Sequence, residues 1–131
     1  MSQTHKPLPE GVHTVVLGMG DLNGLLRGKR IPAENWANIC ESGIAMSNAT
    51  FAIDMTCDVW DTPYTNFETG YPDMHVMPIG EVHPIPWEEG VVYSFAEVVG
   101  ADHQPLAIDP RAALVRVIQK AAAMGYEVRI G

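Results

Sequence analysis

The chain has 131 residues, of which 47% are apolar and 18% charged, with 8 Lys and Arg against 16 Asp and Glu for a net charge of -8. That length fits one domain, and the apolar content, with three Trp, four Tyr and three Phe, is enough for a packed core, which excludes disorder throughout. The acidic balance without a basic stripe excludes a nucleic-acid binder, and no apolar run approaches the roughly 20 residues of a bilayer span.

In chain order, residues 1–12 are polar and proline-containing and read as a flexible leader, with the pattern of neither a secretion signal nor a transit peptide. Two cysteines, Cys40 and Cys57, fit free thiols in a reducing compartment, so a cytoplasmic location is expected. The β-branched run from His13 to Leu17 predicts a first strand, ended by Gly18, Gly20 and Asp21. Leu25 to Ile31 alternates apolar and basic residues and predicts the second strand of a hairpin, with Arg27, Lys29 and Arg30 solvated.

Pro32 and Glu34 suit a helix start, Trp36, Ile39 and Cys40 fall on one helical face, and Gly43 suits its end. Met46 to Pro72 predicts a long ordered loop, because its aromatic content (Trp60, Tyr64, Phe67, Tyr71) disfavours disorder. Two short strands broken by Gly80 follow, confined by Pro78, Pro84 and Pro86 to edges or bends. Val91 to Val99 predicts a central strand. Asp109 followed by Pro110 marks an N-capped helix with the apolar stripe Leu114, Val117, Ile118, Ala121 and Ala122, ending at Gly125. Tyr126 to Ile130 reads as the start of a further strand.

Few constellations carry chemistry. Asn23 and Arg30 stand where a phosphate-binding loop ending at Gly28 and Lys29 would need Gly and Ser or Thr. His75, His83 and His103 have no compact metal-ligand spacing. Cys57 lies among Asp54 and Asp58, whose charges oppose thiolate formation. The most informative cluster is Asp54, Asp58 and Asp61 with Trp60 and Tyr64, the pairing of carboxylates and ring faces that holds an ammonium group.

The ordered set Gly20, Asp21, Leu22, Asn23, Gly24, Leu26, Arg27, Gly28, Lys29, Ile31, Pro32, then Tyr71, Pro72, Asp73, Pro86, Trp87, then Asp109, Pro110, Arg111 resembles the N-terminal domain of the glutamine synthetase family, from about Val15 to Gly131. The resemblance implies an α+β fold, a β-grasp-like mixed sheet with two helices packed on one face, over residues 13–125, with 126–131 starting a strand that leads to a catalytic domain this chain lacks. It also implies an ATP-dependent ligase that joins ammonia or an organic amine to the γ-carboxylate of glutamate, built as a homo-oligomeric ring. ATP and Mg or Mn would be bound by the catalytic domain and none by this chain, which would not be catalytic alone.

In that family a loop of the small domain enters the neighbouring subunit's active site, where an aspartate binds and deprotonates ammonium. By position the resemblance makes Asp54 that residue, with Thr56, Cys57, Asp58 and Trp60 as substrate-binding neighbours. Typical members read Phe-Asp-Gly-Ser-Ser, whereas this chain reads Ile53, Asp54, Met55, Thr56, Cys57, Asp58. The more acidic and aromatic loop resembles the branch that uses alkylamines or polyamines. The alternative expectation is a stand-alone β-grasp module that binds and regulates full-length synthetase subunits.

Overall fold

The computed structural model describes residues 7–130. Five strands form one mixed sheet: β1 (Thr14–Gly20), β2 (Leu26–Pro32), β3 (Ile44–Ser47), β4 (Asp73–Pro84) and β5 (Val91–Val99), in the order β2-β1-β5-β4-β3. β1 and β5 run parallel at the centre and every other pair is antiparallel. Two helices, α1 (Trp36–Ser42) and α2 (Pro110–Ala123), complete an α+β, β-grasp-like domain, as the sequence predicts.

Alternation decides which face is buried. Val15, Leu17 and Met19 of β1, Ile31 of β2, Met74 and Val76 of β4, and Val92, Ala96 and Val98 of β5 are buried. Against them pack Trp36 and Cys40 of α1 and Phe51 of the 3-10 turn Asn48–Ala52. Leu8 and Val12 also pack on the Val15 and Trp36 cluster, so the part of the expected leader that is described lies on the body; the rest of that leader, residues 1–6, lies outside the described residues. Gly28 lies opposite Gly18, where a methyl group would overlap the Leu17 carbonyl, so this close crossing of β1 and β2 requires glycine.

Several expectations are refined. The two runs around Gly80 are one strand, β4, which keeps its ladder to β5 on both sides of an irregularity between Ile79 and Val82. Gly80 takes the positive φ of 69° within that irregularity. Pro78 sits past the last β3 pair, at Val76, where the outer side of β4 has no partner strand. The segment read as loop from Met46 onward opens with β3 and a 3-10 turn. α2 is capped by Asp109, whose carboxylate accepts from the Arg111 and Ala112 N–H groups. Only Ala112 of α2 is buried, so the helix meets the sheet through its first turn, and Leu114 and Val117 of its stripe are exposed. Residues 126–130 form no strand here, because a strand needs a ladder to a neighbour and these have none among the described residues. No helix among the described residues is long and apolar enough to cross a membrane.

Candidate functional site

The loop that carries Asp54 is a miniature hairpin. Ile53 and Val59 form an antiparallel bridge, the Asp54 N–H donates to the Asp58 carbonyl (3.0 Å), and the Cys57 N–H donates to the Asp54 carbonyl (3.2 Å). Three residues, Met55, Thr56 and Cys57, make the bend, and Cys57 takes a φ of 69°, the left-handed position that such a bend puts at its end and that usually goes to glycine. The sequence supplies asparagine-like turn chemistry through Asp54 itself, whose short side chain folds back on the backbone two and four residues on.

Both oxygens of the Asp54 carboxylate accept hydrogen bonds. Oδ1 accepts from the Thr56 N–H (2.8 Å) and the Asp58 N–H (3.0 Å), and Oδ2 accepts from the Trp60 indole Nε1–H (3.0 Å). The Thr56 hydroxyl lies 2.8 Å from Asp54 Oδ1 and 3.0 Å from Asp58 Oδ2, with one proton to share between them. The Trp60 bond, then Thr56 and the two backbone N–H groups, hold the carboxyl down at about 2. Asp54 is therefore a fixed negative charge at any physiological pH. A carboxylate held in its charged form can attract a cation by charge.

A second hairpin grips the first from below. The turn between β1 and β2 is organised by Asp21, a carboxylate only 4% exposed, whose Oδ1 accepts from the Asn23 and Leu25 N–H groups (both 2.8 Å) and whose Oδ2 accepts from Arg27 Nε (2.8 Å). Burial alone would push this carboxyl up; the hydrogen bonds from Arg27, Leu25 and Asn23 outweigh it and bring the group below its ordinary value. From this turn Asn23 Nδ2 donates to the Ile53 carbonyl (3.0 Å) and Arg27 Nη2 donates to the Asp54 carbonyl (3.1 Å).

The structure thus brings Asp54, Thr56, Asp58 and Trp60 into one hydrogen-bonded turn. Cys57 contributes its backbone, and its sulfur, after Asp21, helps raise the pKa of the Arg27 guanidinium. Met55 and Trp60 (64% exposed) of the turn present open apolar surface, and Tyr64 further along the chain is exposed as well. Beyond it the chain is pinned to the body: Asn48 Nδ2 donates to the Tyr64 carbonyl, and the Ser47 hydroxyl to the Tyr71 carbonyl.

Lys29 and Arg30 are exposed, as the sequence predicts, and each also has a partner, Lys29 Nζ donating to the Ala45 carbonyl and Arg30 pairing with Glu88; Arg27 departs from the expectation, being half-buried and paired with Asp21. The sequence does not show that Asn23 and Arg27, anchored on Asp21, hold the Asp54 turn; their one signal in it is their place in the ordered motif set. His75 and His103 stack, His83 meets Phe95 edge-on, and among the described residues no three His, Cys, Asp or Glu side chains gather to hold a metal ion.

No family model matches the chain. Among curated proteins it is 30% identical over 119 residues to a glutamate–isopropylamine ligase from a Pseudomonas species, covering 88% of this chain and 26% of that protein. It is 32% identical over 108 residues to type-1 glutamine synthetase 2 of Dictyostelium discoideum, covering 81% of this chain and 21% of that protein. Among solved structures it superposes on GmaS in its ligand-free form with a TM-score of 0.67 and 25% identity, over 88% of this chain and 24% of the other. The chain spans about a quarter of the length of the curated relatives it matches.

Proposed function

Over about 85% of this chain the homologues are glutamine synthetase family members, γ-glutamylamine synthetases among them, and from that kinship we propose that it works as the amine-site domain of an ATP-dependent glutamate–amine ligase. In this reading the chain is not catalytic by itself. It acts with a glutamine synthetase-type catalytic domain, which binds ATP and Mg or Mn, and it lends the Asp54 turn to a neighbouring subunit of a homo-oligomeric ring. The described residues offer no donor set that fits a divalent ion, so no step is assigned to a metal on this chain.

The observation that carries the reading is the Asp54 carboxylate itself, held in its charged form by four N–H and O–H neighbours, with Met55 and Trp60 of the same turn exposed. Such a site attracts a cation by charge and adds apolar and ring surface beside it. Ammonium needs only the charge, whereas an alkylammonium gains from both. The domain therefore favours an organic amine. In this reading Asp54, charged at neutral pH, holds the amine as its cation at the neighbouring subunit's active site.

The test is amine-dependent phosphate release from ATP and glutamate by the complete protein that contains this chain, with ammonium, isopropylamine and ethanolamine compared. Preference for an organic amine, lost in Asp54→Asn, supports the reading; a strict preference for ammonium overturns the choice of amine, and amine use untouched by Asp54→Asn overturns the role of the turn.

A further inference from the structure

We infer that Arg27 and Asn23 are positioning residues: anchored on the buried Asp21 carboxylate, they clamp the backbone at Ile53 and Asp54 and so fix the direction in which the Asp54 carboxylate is presented. Three observations carry this. Asp21 is nearly sealed from water, yet its two oxygens take three N–H bonds, two from its own turn and one from Arg27, so the turn is rigid around it. Arg27 uses two edges of one planar fork, Nε on Asp21 and Nη2 on the Asp54 carbonyl, so the position of one loop is transmitted to the other through a group that cannot flex. Asn23 adds a second tie one residue away, at the Ile53 carbonyl, and two adjacent anchored carbonyls set both the place and the tilt of the peptide plane that leads into Asp54.

The need for such a clamp follows from where the turn sits. Met55 to Trp60 are all exposed, and no side chain of the turn enters the core. Without outside ties the hairpin would be ordered only by its own bonds, closed at the base by the Trp60 N–H to the Ala52 carbonyl (2.9 Å). A short two-stranded hairpin left to itself in water is marginally stable, so these bonds would open more often and the carboxylate would lose its fixed direction. A misplacement of about 1 Å is enough to cost a positioned group a large part of its effect. The use of the clamp for amine binding rests on the proposed role of Asp54; its mechanical part does not.

The experiment separates the two. In the isotope-labelled chain, amide hydrogen exchange at Thr56, Asp58 and Trp60 is measured by NMR in Asn23→Ala, in Arg27→Lys and in Lys29→Met, a control whose bond to the Ala45 carbonyl lies elsewhere. Each clamp variant removes one tie, and exchange at these three amides is expected to rise about five- to tenfold, the scale of one lost hydrogen bond, with the β1 and β5 amides unchanged. Lys cannot span both acceptors, so it does not rescue. Asn23→Ala leaves the Asp21–Arg27 pair intact and keeps the test open if Arg27→Lys folds poorly. Unchanged exchange in Asn23→Ala, or wild-type behaviour of a folded Arg27→Lys, overturns the clamp.

In the complete protein, the clamp variants are expected to raise the KM for the amine about tenfold, with kcat and the KM for glutamate nearly unchanged. Faster exchange with an unchanged amine KM, where Asp54→Asn does weaken amine use, overturns the positioning role. If Asp54→Asn leaves amine use intact as well, the amine-site reading falls and the exchange data still support the clamp.

Discussion

Trp60 and Asp54 are joined by one bond, indole Nε1 to Oδ2 at 3.0 Å, and it is the largest cause of the low carboxyl pKa of about 2. Because the folded value lies below the ordinary 3.8, the order this carboxylate gives to the turn is fully present above about pH 4 and is lost as the pH falls through about 2. The indole N–H resonance of Trp60 is expected to shift with a midpoint near 2. In Trp60→Phe the Asp54 carboxyl, followed by ¹³C NMR, should titrate closer to 3.8. A midpoint unmoved by that substitution would show that the indole is not its partner in solution.

Gly28 and Gly20 lie on the same hairpin with opposite prospects. A methyl at Gly28 would overlap the Leu17 carbonyl, whereas one at Gly20 meets nothing within 4 Å. Gly28→Ala is expected to destabilise the domain by roughly 1–3 kcal/mol and Gly20→Ala by under about 0.5 kcal/mol, read from urea unfolding midpoints. Equal effects would contradict the close crossing of β1 and β2.

Much of this framework is legible locally. The alternation of Val15, Leu17 and Met19, the Asp109–Pro110 start and the Trp36, Ile39, Cys40 face are each a property of a few neighbouring residues. β3 is not, since Ile44–Ser47 is too short to show a period and is a strand only through its pairing with β4. Nor is the continuity of β4, where a glycine that reads as a break is accommodated by a ladder on the far strand. Asp54 is found through family likeness, but the bonds that fill its oxygens depend on the hairpin closing. The ties from Asn23 and Arg27 span 30 and 27 residues, a distance no local pattern reports.

Asp109 combines a cap with burial. Burial raises its carboxyl pKa, and the N–H groups of Arg111 and Ala112 only partly counter this. With the folded pKa raised, the charged form is disfavoured in the native state, so this contribution to stability is greatest below the unfolded pKa and is lost as the pH rises through the folded one. Asp109→Asn keeps an acceptor for the cap and should gain on the wild type in thermal unfolding as the pH is raised from 3 to 7. Asp109→Ala should lose about 1 kcal/mol at neutral pH. An Asn variant that loses ground with rising pH would reverse the sign argued here.

The two thiols should part company under alkylation. Cys40 is buried under α1, and burial, with Glu41 beside it, pushes its pKa up to about 11, whereas Cys57 is exposed. Iodoacetamide at pH 8 is expected to modify one thiol per folded chain, identified as Cys57 by peptide mass, with Cys40 reacting only on unfolding. Modification of both at equal rates would place α1 in a more open state than the structure shows.

Cys57 also holds a backbone angle that suits glycine. Cys57→Gly should relieve roughly 1 kcal/mol of local strain and slow amide exchange at Asp58, provided the sulfur contributes little through Arg27. Faster exchange in the glycine variant would show that its contact with Arg27 outweighs the strain.

The central parallel ladder, Thr14 beside Val91 through Gly18 beside Phe95, has a consequence for the order of assembly. β1 with β2, and β4 with β5, pair as hairpins between segments close in the chain, but the seam between these two hairpins joins residues far apart in it. Loop closure makes such a seam slow to form. The Val15, Leu17 and Val92 contacts across it should therefore appear late in folding, and the hairpin that carries Asp21 and Arg27 can form on its own timescale before the body to which it ties the Asp54 turn is complete.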